Sequence, residues 1–308
     1  MTGLLKLSDH ILCKKEVLGK VYECEIAGIS FKIHFPQYPV IDETNPAFGF
    51  STPLLPPKIG ANWKRGEDNL FWGYPMSYPA GNSCVEHLAL SVECTKEILS
   101  KYACTLYESI PIWEHAFIDH IKLETKQGIE RDENNRRSLC NLELMEGKYI
   151  ENISSTELFL YVPKDDSFAS ENNIMNAISF ANSGKELLPE YQMLLSAYEA
   201  RRLNQNRRAI MDACSAMELA LVNQINLFCQ SIGLSSKILT DKYKYLKEII
   251  ELVKKISKSF PSDNYENLVI KPRNAIMHNR DLFPSDDTTE KLIACVERFL
   301  CNYHYAYY

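Results

Sequence analysis

Apolar and polar residues alternate through Val21-Tyr22-Glu23-Cys24-Glu25-Ile26 and again through Ile29-Ser30-Phe31-Lys32-Ile33-His34-Phe35, on either side of Ala27-Gly28. A period of two puts every second side chain on one face of a strand, so two such runs around a glycine-bearing pair predict a β-hairpin. His87 to Val92 has the pattern of another strand. Leu158-Phe159-Leu160-Tyr161-Val162 reads as a buried one, stopped by Pro163-Lys164-Asp165-Asp166. Thr95 to about Tyr107 and Ile112 to about Ile121 are each expected to be helical. Pro36 to Pro79, dense in Pro, Gly and aromatics, is expected to form a long ordered loop.

From Asn173 onward the period becomes helical. Ile210, Cys214, Met217, Leu221, Ile225 and Phe228 recur at steps of three and four, which turns one stripe of a helix over Arg207 to Gln230 toward a core. Leu246, Ile249, Ile250, Val253 and Ile256 repeat the pattern. Asp287 followed by Glu290 resembles a capping box before a last helix whose buried face is Leu292, Val296, Phe299 and Tyr303. With Glu190 to Asn204 and a segment around Asn264 to Leu282, about five helices are expected. The chain is therefore read as α+β, with a β-rich sensor or regulatory domain over residues 1–166 and an all-α bundle over 167–308.

A length of 308 residues exceeds the usual span of one domain, roughly 100 to 200 residues, which agrees with two units. At 45% hydrophobic and 24% charged residues the composition is that of a folded protein and not of a disordered one. The acidic excess lies before Glu186, so the first half is a poor candidate for gripping phosphate by bulk field. Acidic and basic residues nearly balance after it. Ten cysteines without a CxxC pair argue against a zinc knuckle or a dithiol redox motif, and His87, His115 and His120 lack metal-ligand spacing. No metal and no cofactor are expected. Neither a secretory signal nor a membrane span is evident, so a cytoplasmic location is the expectation.

The segment with the clearest chemistry is Lys271-Pro272-Arg273-Asn274-Ala275-Ile276-Met277-His278-Asn279-Arg280. On a helix, Asn274 and His278 are neighbours four apart, while Arg273 and His278 diverge by about 140°, so the arginine stem must bend to join the imidazole. Cleaving RNA without a metal requires activation of a ribose 2′-hydroxyl, stabilisation of a phosphorane and protonation of the leaving oxygen. A histidine of ordinary pKa near 6.5 exchanges protons at neutral pH, and a guanidinium can fork two phosphate oxygens. Arg273 and His278 are the candidate catalytic residues. Asn274 is the candidate supporting amide and Arg280 a candidate substrate contact. Glu218 and Asp212 are candidate structural partners of Arg273.

This R-N-x-x-x-H arrangement resembles the RX4-6H motif of HEPN domains, and the Ala-rich run from Arg207 through Glu218 to Leu221 is similar to the family's second helix. The resemblance covers roughly Glu186 to Asn302. It implies a five-helix domain that pairs with a second copy, bringing two motifs into one cleft. It further implies metal-independent cleavage of RNA, often in a toxin or antiphage-defence effector, with Apea-like HEPN proteins carrying a β-rich N-terminal module the nearest in arrangement. An antitoxin or a trigger ligand on the N-terminal domain belongs to the same expectation. Pro272 either starts the motif helix or kinks a longer one.

Other readings compete. The helical domain could be a non-catalytic RNA-binding or dimerising scaffold, with the function residing in a ligand-binding N-terminal domain. Arg201, Arg202, Arg207 and Arg208, with Lys242, Lys244, Lys247, Lys254, Lys255 and Lys258, could face RNA, although solvated helix faces have the same composition. Trp63-Lys64-Arg65 and Phe71-Trp72 could stack bases, although loop aromatics more often pack beneath their own loop.

Overall fold

In the computed structural model the described residues are 2–38, 54–57, 72–74, 82–93, 96–127, 137–139, 156–158, 168–243, 245–257, 260–278 and 283–303. They form a mixed α and β protein with an antiparallel sheet in its N-terminal part and helices elsewhere. The chain divides into two compact units, Met1–Glu186 and Leu187–Tyr308, so the division falls 20 residues later than the turn after Val162 suggests.

The first unit is built on strands β1 (Thr2–Cys13), β2 (Val21–Ile26), β3 (Ile29–His34), β4 (Gly73–Tyr74) and β5 (Ser83–Ser91), in the order β1-β5-β3-β2 with β4 also paired to β5. The expected hairpin is present, with Cys24 opposite Phe31 and Ile26 opposite Ile29. Its turn needs positive φ at both central residues, 53° at Ala27 and 76° at Gly28, which matches the twist of the two strands. Tyr22, Cys24 and Ile26 are buried while Val21, Glu23 and Glu25 are exposed, the alternation that a one-sided sheet demands. The strand read over 87–92 begins earlier, at Ser83. Gly73 has φ of 139°, and a Cβ there would sit 2.0 Å from the Cys84 carbonyl oxygen, so β4 can lie against β5 only without a side chain.

Residues 95–107 and 112–121, read as two helices, are one: α1 (Lys96–Thr125), running through Pro111. Proline removes one backbone donor, yet Leu106, Trp113, Phe117, Ile118 and Ile121 all bury against the sheet, and that packing holds a single helix together. After the short pair β6 (Arg137–Leu139) and β7 (Thr156–Leu158), α2 (Glu171–Asn182) begins at a capping box between Ser170 and Asn173. Only Leu158 of the strand expected over 158–162 is described. Ile174, Ala177, Ile178 and Ala181 of α2 join the core beneath the sheet, which is why α2 belongs to the first unit. Asn182 ties three elements: its Oδ1 accepts from the Trp113 indole at 3.0 Å and from the Glu25 amide at 3.0 Å. Trp72 is buried and meets His87 edge-on at 6.2 Å, so it packs inside; residues 63–65 and Phe71 lie outside the described set.

The second unit contains α3 (Pro189–Arg202), α4 (Asn206–Ser231), the short α5 (Lys237–Lys242), α6 (Leu246–Ile256), α7 (Lys271–Met277) and α8 (Asp286–Tyr303). α4 is central and packs on α3, α6, α7 and α8. Its buried residues include many small ones, Ala209, Ala213, Cys214, Ala216 and Ala220, as do those of α3, Ala197 and Ala200, and small side chains allow close approach of helices. The expected face of the last helix is present in Leu292, Val296 and Phe299, all fully buried. The cap differs from the Asp287 and Glu290 pair: Ser285 Oγ accepts the Thr288 amide at 3.2 Å, placing the helix start two residues earlier. Among the described residues, no helix is long and apolar enough to cross a membrane.

Candidate functional site

The motif helix begins as a π-helical turn, Glu266–Ile270, which runs directly into α7. Pro272 explains the widening. In an α-helix its ring would press on the carbonyl four residues back and leave it unbonded, whereas in the wider turn the Lys271 amide reaches back to the Glu266 carbonyl. Pro272 therefore sits in the first turn of α7, as well as inside a longer helical run. Tyr265, at the head of this run, is fixed in an aromatic cluster with Phe260 at 5.4 Å and Phe299 of α8 at 6.3 Å. Val269, Ile270 and Ile276 are buried beneath it.

That anchoring aims Arg273 at α4. Its Nη2 donates to both carboxylate oxygens of Glu218, at 3.2 and 3.3 Å, with 19% and 29% of the two side chains exposed. The Arg273 Nε is buried with no hydrogen-bond partner among the described residues. Cys214, one turn before Glu218, has its thiol pushed up to about 12, chiefly by burial; the Arg273 charge opposes that rise and Glu218 adds to it. The thiol is therefore a core filler and no nucleophile at neutral pH.

His278 closes α7 as its C-cap residue, with its amide donating to the Asn274 carbonyl at 3.0 Å. It is exposed at the end of the helix. Asn274 is exposed on the same helix. Thus Asn274 and His278 are joined through the backbone, while Arg273 turns to α4 and is not bonded to His278 within one chain. Of the two carboxylates proposed as partners of Arg273, Glu218 is the one. Asp212 instead accepts from Ser196 Oγ at 2.8 Å and pairs with Arg208 at 3.4 Å, because it lies more than a turn further toward the start of α4. Arg280 lies outside the described residues.

A feature that the sequence signals only in part, through Arg207 and Arg208, lies at the start of α4. A surface pocket of about 590 Å³ opens there, lined among others by Asn206, Arg207, Arg208, Met211, Phe283 and Pro284. The signal for the rest is faint: one aromatic residue in the polar stretch between the motif and α8.

No protein-family model, curated protein or solved structure matches this chain.

Proposed function

We propose that residues 187–308 form a HEPN-type domain and that the protein is a metal-independent endoribonuclease, working as a homodimer in which two copies of the motif share a cleft. The observation that carries this reading is the Arg273–Glu218 bridge. The two segments that resemble the family, an Ala-rich helix ending in a glutamate and a helix bearing R-N-x-x-x-H, are joined through those two charged residues. The histidine meanwhile stays exposed at the helix end.

In this mechanism a ribose 2′-hydroxyl loses its proton to one imidazole and attacks the adjacent phosphorus. The negative charge on the phosphorane is met by Arg273, and the 5′-oxygen leaves with a proton from the second ring, an imidazolium that becomes neutral. The first bond forms as the P–O5′ bond breaks, giving a 2′,3′-cyclic phosphate, and no electron acceptor or metal is needed. A pair of His278 residues, one from each copy, supplies base and acid. The N-terminal unit is read as a sensing module that restrains or triggers the nuclease, as a toxin or antiphage-defence effector requires, through a ligand or an antitoxin.

A second reading has an observation of its own. Arg273 is already engaged by Glu218 and is not bonded to His278 in one chain, which suits a scaffold whose motif serves packing. Incubating the purified protein with total RNA in EDTA separates the two. Cleavage by the wild type with at least a hundredfold loss in His278→Ala and Arg273→Ala supports the enzyme; equal inertness of all three proteins favours the scaffold.

A further inference from the structure

The pocket at the start of α4 has a divided lining. Met211, Pro284 and the ring of Phe283 are apolar, and Phe283 is 91% exposed; Arg207 and Arg208 are cationic, and Asn206 carries an amide. A nucleotide has the same two halves, a flat π surface and an anionic phosphate. We propose that this pocket holds one unpaired nucleotide of the RNA strand, with its base against Phe283 and Met211 and its phosphate toward Arg207 and Arg208. The proposal rests on the reading of the helical unit as one that acts on RNA.

Two features support it. The loop before α8 is held in place: Asn206 Nδ2 donates to the Pro284 carbonyl at 3.0 Å and to Asp286 at 2.7 Å, so the residue next to Phe283 is pinned to α4 before any ligand arrives. Finally, the first turn of α4 contains no acidic residue, and Asp286 is bonded to Arg201 and Asn206. Phosphate therefore meets no carboxylate from that turn.

Position then connects the pocket to the motif. Arg207, Met211 and Glu218 share one face of α4, at spacings of four and seven, and Met211 and Glu218 are about 10 Å apart along its axis. A strand leaving the pocket along that face arrives at Arg273. Only a splayed base can enter such a pocket, so single-stranded RNA is selected over duplex.

The test uses the full chain with His278→Ala, which removes cleavage and leaves the pocket intact. Anisotropy is measured with a labelled ten-nucleotide single-stranded RNA, with the same strand in a duplex, and with AMP as competitor. Adding Phe283→Ala is expected to weaken single-strand binding roughly five- to a hundredfold, with Phe283→Tyr close to the parent. Arg207→Ala is expected to weaken it and to flatten its salt dependence. The duplex is expected to bind more weakly and to be indifferent to Phe283. Phe283 is a surface residue, so its variants are expected to keep the parent's circular dichroism and Tm. Unchanged single-strand binding in Phe283→Ala and Arg207→Ala, no RNA binding at all, or AMP bound as tightly as the oligonucleotide would each overturn the proposal. If binding depends on Phe283 while the wild type cleaves nothing, the pocket stands and the nuclease reading falls. The reverse pattern leaves the nuclease without this pocket.

Discussion

In the proposed cleft, Arg273 serves two masters, since the guanidinium that would meet a phosphorane also bonds a carboxylate on the neighbouring helix. The pair is partly screened by solvent, so a double-mutant cycle over Arg273→Ala and Glu218→Gln is expected to give a coupling of about 1 kcal/mol in urea unfolding, below the range for fully buried pairs. A coupling near zero would leave Arg273 free of any structural duty. His278 is exposed, and His278→Ala is expected to change stability by less than about 0.5 kcal/mol while abolishing cleavage. Burial governs the thiols. Cys214, Cys84 and Cys24 all have their thiols pushed up, so in the native protein Cys104 and Cys301 are expected to alkylate at pH 8 while those three stay unmodified, as read by peptide mass spectrometry. Glu218 as a partner of Arg273 was legible in the sequence. That Asp212 pairs elsewhere was not, because which carboxylate an arginine reaches depends on where α7 crosses α4.

At the scale of elements, strand and helix patterns carried well wherever one face is buried and the other wet. The hairpin over Val21–Phe35 is such a case, since alternation and the Ala27-Gly28 turn agree. Pro111 misled, because local propensity counts the lost hydrogen bond but not the apolar stripe on both sides of it. Pro272 is the companion case, absorbed by a π turn that no single-residue propensity describes. Gly73 marks a contact invisible in sequence: Gly73→Ala must push β4 off β5, and a loss of at least about 2 kcal/mol, or failure to fold, is expected in thermal unfolding. Glu124 gives an element a pH response. Burial alone would raise its pKa, but the hydrogen bonds from His120, Asn173 and Asn176 win and lower it from 4.5, so it stabilises the α1 and α2 pairing above that value and the benefit is lost as pH falls below it. Glu124→Gln is expected to flatten the fall in Tm between about pH 5 and pH 3.

At the scale of the whole molecule, the two compact units make separate folding the natural expectation. Residues 187–308 expressed alone should unfold cooperatively with a helical circular dichroism spectrum, and a chain that stays unfolded would show that the second unit depends on the first. The sequence by itself determined which stretches alternate as strand or helix, that the chain holds two units, and which residue types could perform chemistry. These are properties of local order, written in periodicity and residue type. The tertiary structure alone decided that α2 packs in the core of the first unit, that Arg273 turns to Glu218 while His278 faces solvent, and that Phe283 and Arg207 line one pocket. The physical reason is that such pairings bring together residues tens of positions apart, and they follow from which apolar faces bury against each other, a choice that local pattern leaves open.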